Sequence, residues 1–166
     1  MNVLVIGYGN PLRADDGLGW HAASALARDP RLAAAVVLQR HQLTPELALD
    51  VAAASFVIFI DARVPTAGEP GRIQIDAVAA APAPGTWTHH MTPEALLHLT
   101  RRLTGLVPPA VLVTAVAGVV EVSDQLSPAG RVALTGLVET VAGLARHRSG
   151  EPAGGADARV AREARR

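Results

Sequence analysis

The chain contains no cysteine. Disulfides, thiolate nucleophiles and cysteine-bound metal centres are therefore excluded. Nor does it contain lysine, since all 15 basic residues are arginine. Schiff-base lysine chemistry and a phosphate-loop lysine are excluded with it; coding bias toward Arg and Ala is a sufficient cause. There is no net charge, because 15 acidic residues balance the 15 basic ones. The arginines are scattered, with a small cluster only near the C-terminus, so no nucleic-acid partner is expected. No apolar run is long and clean enough to span a bilayer. The opening run, Val3-Leu4-Val5-Ile6, has no basic flank before it and no cleavage site after it. These absences predict a soluble cytoplasmic protein with no membrane partner.

What remains is ample for a core. The chain has 166 residues, 49% of them hydrophobic, which suits one domain that needs no staples. Val3 to Ile6 is wholly apolar and β-branched in character, as in a strand buried on both faces. A loop of Gly, Asn and Pro follows, and Asp15 or Asp16 is placed to cap a helix running to about Arg28. Val36 to Leu38 reads as a second strand. Thr44-Pro45-Glu46 has the cap-then-proline form of a helix start, with the helix running to about Ala54. Phe56 to Ile60 is the clearest buried strand, and Asp61 ends it. Arg72 to Asp76 alternates polar and apolar residues, which marks a one-sided strand at an edge. Thr92-Pro93-Glu94 repeats the helix start, for a helix to about Leu103. Val111 to Val116 is a further buried strand, and Ser127-Pro128 opens a last helix to about Arg146.

Strands alternating with helices predict an α/β fold: a single three-layer domain with a mostly parallel, twisted sheet of about five strands and helices on both faces. The domain is expected over residues 1–148. Residues 149–166, which have almost no large apolar side chain, are expected as a disordered tail. Ligand sites in such folds lie beyond the carboxyl ends of the strands, so attention falls on residues just after Ile6, Ile60 and Val116.

The first of these loops reads Gly7-Tyr8-Gly9-Asn10-Pro11-Leu12-Arg13-Ala14-Asp15-Asp16-Gly17. A strand followed by G-x-G suggests a dinucleotide fingerprint, which would make the chain a small nucleotide-binding domain. Leu12, however, stands where the third glycine belongs, and two aspartates would oppose a pyrophosphate. Asp16 and Asp61 can instead meet in one crevice, where close carboxylates attract a cation or share a proton. His89 and His90 precede the helix that begins near Pro93. Two carboxylates and one imidazole suit a divalent transition metal and leave its shell open. His21, His98 and His147 fall inside helices and read as structural.

Together these residues resemble the hydrogenase maturation endopeptidases. The opening signature of that family, an apolar strand, G-x-G-N and an acidic pair before a small residue, is matched by Val3 to Gly19. Its aspartate at the end of the third strand is matched by Phe59-Ile60-Asp61-Ala62, and its histidine before a helix by His89-His90-Met91-Thr92-Pro93-Glu94. The resemblance covers residues 1 to about 146. It implies a protease that removes the C-terminal extension of a nickel-iron hydrogenase large-subunit precursor. It also implies that Asp16, Asp61 and His89 hold the nickel that the precursor carries, with His90 the neighbouring candidate. A carboxylate acting as base on water would give Asp16 and Asp61 a catalytic role. Gly9, Asn10, Asp15, His41, Thr44 and His90 are candidates for the loops that meet substrate. Many members carry a Gly-Thr loop after the second strand, where this chain has His41-Gln42-Leu43-Thr44-Pro45-Glu46. A non-catalytic metal-sensing or chaperone module on the same fold is the alternative, since function belongs to the site and not to the fold.

Overall fold

The computed structural model describes residues 2–64, 68–83 and 91–149. Five strands form one sheet: β1 Val3–Tyr8, β2 Val36–Arg40, β3 Phe56–Arg63, β4 Ile73–Val78 and β5 Ala110–Val116. Four helices join them: α1 Leu18–Leu26, α2 Leu47–Ala53, α3 Pro93–Thr104 and α4 Pro128–Ser149. The strand order is β2-β1-β3-β5-β4. All neighbours pair in parallel except β4, which lies antiparallel to β5 at the edge. The three-layer, mostly parallel α/β fold expected from the sequence is therefore present.

The helices divide by face. Residues of α1 and α4 pack on Val3, Val5, Phe56, Ile58 and Ile60. Residues of α2 and α3 pack on Leu4, Ile6, Val57 and Phe59. Successive strand residues thus serve opposite cores, as the pleat requires, which is why the parallel strands read as unbroken apolar runs. Burying each large side chain contributes about 1.5–3 kcal/mol.

Several boundaries differ from expectation. Every strand runs on at its carboxyl end or starts earlier than its letters suggested, because backbone pairing does not stop at a polar side chain; β4, expected over Arg72 to Asp76, runs from Ile73 to Val78. Asp61 and Arg63 still pair with Thr114 and Val116. Neither Asp15 nor Asp16 caps α1: both sit inside a short 3-10 turn, Ala14–Gly17, and the residue before α1 is Gly17 with no side-chain cap. Thr44 does not cap α2 either. A turn at Pro45 and Glu46 precedes the helix, whose first residue is Leu47. Thr92 does cap α3, its hydroxyl accepting from Ala95 N at 3.3 Å, and Gly105 closes that helix in the left-handed conformation. α4 continues to Ser149, one residue into the expected tail, and the rest of that tail lies outside the described residues. Among the described residues no helix is long and apolar enough to cross a membrane.

Candidate functional site

The strand order reverses direction between β1, whose next strand lies to one side, and β3, which lies to the other. Such a switch point opens a crevice at the carboxyl ends of the two strands. The register Gly7↔Ile60 sets Tyr8 beside Asp61 at the mouth of that crevice. Both project toward the α2 and α3 face, continuing the rows Leu4-Ile6-Tyr8 and Val57-Phe59-Asp61.

The loop after β1 must fold back tightly to bring α1 onto the sheet. Glycine makes the approach possible. A Cβ on Gly19 would stand 2.2 Å from Ile60 O and 2.3 Å from Tyr8 O. Gly9, at φ 141°, lies so close to Asp16 that a Cβ would stand 2.1 Å from its carbonyl oxygen. Several of the loop's amides are engaged within it. Leu12 N donates to Asn10 Oδ1 at 2.9 Å, and Arg13 N to Asn10 O at 3.1 Å. They form a closed turn, unlike a glycine loop that presents its amides to a pyrophosphate.

A cleft of about 630 Å³ lies over these strand ends, and Tyr8, Asp16, His41, Asp61 and Glu94 all border it. Asp61 Oδ1 accepts from Ala62 N at 2.7 Å, and the Tyr8 hydroxyl lies beside its carboxylate. Burial pushes the Asp61 carboxyl up to about 7, and the nearby charge of Asp16 pushes the same way, against the Ala62 amide and the Tyr8 hydroxyl. The Tyr8 hydroxyl is driven far above its ordinary value, first by burial and then by the charge of Asp61. A carboxyl group poised near neutrality beside a second carboxylate can take a proton from water or share a cation.

The sequence candidates thus meet different fates. Asp16 and Asp61 come together in the cleft, and Gly9, Asn10 and His41 border it. Thr44 is not among the described residues that line it. Asp15, the other loop aspartate, does not line the cleft. It is fully buried, and its carboxylate turns away from the cleft to backbone amides beyond β5. His89 and His90 lie outside the described residues. Met91, Thr92 and Glu94, which follow them directly, do line the cleft. Among the described residues no three of the His, Asp and Glu side chains stand close enough to hold a metal ion. Carboxylates such as these two are hard oxygen donors.

Sequence reasoning missed Tyr8 and Glu94. Tyr8 was available: in an alternating strand it shares a face with Leu4 and Ile6, and so with Asp61. Glu94 was read only as part of a helix start.

No family model matches the chain, and no curated protein matches it by sequence. Solved structures do. The hydrogenase maturating endopeptidase HybD of E. coli superposes with a TM-score of 0.71 at 27% identity, covering 90% of this chain and 94% of that one. The [NiFe] hydrogenase maturation protease HycI of Thermococcus kodakarensis KOD1 gives 0.70 at 21% identity, covering 87% and 92%. An endopeptidase from Escherichia coli, solved in solution, gives 0.69 at 24% identity, covering 91% and 95%. Two of these three are hydrogenase maturation endopeptidases and the third is an endopeptidase, and the likeness first carried by the loop after β1 extends through the fold.

Proposed function

We propose that the protein is an endopeptidase that removes the C-terminal extension of a nickel-iron hydrogenase large-subunit precursor after nickel has been inserted. The observation that carries this reading is the pairing of Asp16 with Asp61 in a cleft at the switch point, on a fold shared with hydrogenase maturation endopeptidases. The nickel is part of the substrate. Asp16, Asp61 and His89 are its ligands, with His90 the neighbouring alternative and His41 next, from the end of β2. The incomplete shell leaves room for the precursor's own ligands.

The chain's own residues then divide the work. Asp61 as carboxylate accepts a proton from the water that attacks the scissile carbonyl, and the Tyr8 hydroxyl keeps that carboxylate aimed. Asp16 holds negative charge opposite it, which draws the metal-bearing end of the precursor into the cleft.

The test is cleavage of a nickel-loaded large-subunit precursor by the purified protein, scored by loss of the extension. Cleavage by wild type and none by Asp61→Asn supports the reading. Tight binding of the precursor without cleavage would instead favour a metal-sensing module. Nickel titration of His89→Ala, His90→Ala and His41→Ala then assigns the imidazole, since only the true ligand's loss abolishes binding.

A further inference from the structure

The two neighbouring aspartates of the first loop face opposite ways. Asp16 borders the cleft. Asp15 is fully buried and accepts four hydrogen bonds. Oδ2 accepts from Gly118 N at 2.8 Å, Val119 N at 3.1 Å and Ser127 Oγ at 2.6 Å, and Oδ1 accepts from Ser127 N at 2.8 Å. Ser127 Oγ in turn accepts from Gly130 N at 2.9 Å in the first turn of α4. Glycine at position 130 leaves the space, since a Cβ there would stand 2.0 Å from Asp15 Oδ1.

The backbone closes around the same point. Ala14 N donates to Ser123 O at 2.9 Å, Asp15 N to Val119 O at 3.1 Å, and Ser123 N to Leu12 O at 3.1 Å. Arg13 and Ser123 form a parallel bridge. Ala14 is held at φ 49°, a conformation that costs a non-glycine residue energy and persists only where its surroundings impose it.

We propose that Asp15 is a positioning residue: it clasps the first loop to the segment after β5 and to the start of α4, and thereby sets where Asp16 stands in the cleft. All four groups around its carboxylate are donors. An amide in its place turns an NH₂ group against one of them, so Asp15→Asn undoes the clasp while keeping the shape. The proposal rests on Asp16 being a working residue of the proposed site.

The experiment uses full-length protein: wild type, Asp15→Asn, Asp16→Ala and the double variant. Cleavage of nickel-loaded precursor is measured alongside amide hydrogen exchange. The expected result for Asp15→Asn is a kcat lowered by about tenfold to a hundredfold, with KM within about twofold. Faster exchange should be confined to residues 14–16, 118–119 and 127. In the Asp16→Ala background the same change should cost nothing more, because Asp15 acts only through Asp16. If Asp15→Asn does not fold, Ser127→Ala removes one donor and serves as the milder probe, with the same confined exchange and a smaller loss of kcat. Full activity despite loosened amides overturns the proposal. So does an equal further loss in the Asp16→Ala background, or exchange that rises everywhere. Should wild type itself fail to cleave, the reading of function fails. The clasp is then judged by exchange alone, and unchanged amides at 14–16 refute it.

Discussion

The same three strands end differently on their two faces. Toward α1 and α4 the rows stay small or apolar to the end: Gly7 on β1, Ile60 and Ala62 on β3, Ala115 on β5. Toward α2 and α3 each row meets a polar residue near its carboxyl end: Ile6 gives way to Tyr8, Phe59 to Asp61, Leu112 to Thr114. That polar edge continues outward, for Arg63 Nε donates to Thr114 Oγ1 at 2.9 Å and Arg63 Nη2 to Asp76 Oδ2 at 2.8 Å. One face is close-packed against α1 through glycine, and the other opens into the cleft. The comparison shows how one sheet serves both demands: the rigid face fixes the strand ends, and the open face exposes their side chains to substrate.

The largest effect should come from breaking the close-packed face. Gly19→Ala forces a methyl group into the carbonyl oxygens of Ile60 and Tyr8. Stability should fall by about 3 kcal/mol or more, measured by denaturant unfolding. A loss below about 1 kcal/mol would show that α1 is free to shift.

On the open face, Asp61→Asn should abolish processing while raising stability in neutral solution. The Asp61 carboxyl moves from 3.8 to about 7 on folding. Between those values the folded state holds the extra proton, so this group makes stability fall as pH rises from about 4 to about 7. Below about pH 4 both states are protonated and the penalty vanishes. Asn carries no charge and no penalty. Its advantage over wild type should therefore be near zero at about pH 4 and grow to at most about 4 kcal/mol by about pH 8. Unfolding curves across that range check the slope, and parallel curves for the two proteins would remove the buried charge from the account.

Tyr8→Phe is subtler. It removes the hydroxyl beside Asp61 and should change stability by no more than about 1.5 kcal/mol. Because that hydroxyl lowers the Asp61 value, its loss should move the rise of processing activity with pH toward alkaline solution. A pH profile identical to that of wild type would mean the hydroxyl does not tune the carboxylate. The smallest effect lies on the rigid face, where Arg31 pairs with Glu139 at 2.7 Å, with 62% of the Glu139 side chain exposed. Glu139→Gln should change stability by less than about 1 kcal/mol and leave processing untouched. Thermal melts and the cleavage assay together decide that.

The two faces also differ in how far they could be read from the letters. The apolar runs announced the four parallel strands, and in β1 and β3 residues buried on both sides leave an unbroken hydrophobic signature. Asp61 stood out for the converse reason, as the first charge after such a run. Tyr8 did not, since an aromatic ring at a strand end reads as core until its hydroxyl is seen to have a partner. Asp15 and Asp16 were indistinguishable in sequence. What separates them is a segment more than a hundred positions later, Gly118 to Ser127, and no local pattern reports so distant a partner. The edge position of β4 was legible from its alternation, and its reversed direction was not, because alternation is the same read either way.

The strand order β2-β1-β3-β5-β4 carries a consequence for the sequence of assembly. β4 leaves the ribosome before β5, yet among the described residues its only partner strand is β5, so the edge strand waits unpaired until the later one inserts between it and β3. Asp15 waits longer still, because its last donors are the amide and hydroxyl of Ser127, which follow all five strands in the chain. A growing or truncated chain that stops short of Ser127 would bury Asp15 with no Ser127 to meet it, at the cost of a partly unsatisfied charge. The cleft is therefore among the last features to take shape, and a fragment of the chain does not present it ready-made.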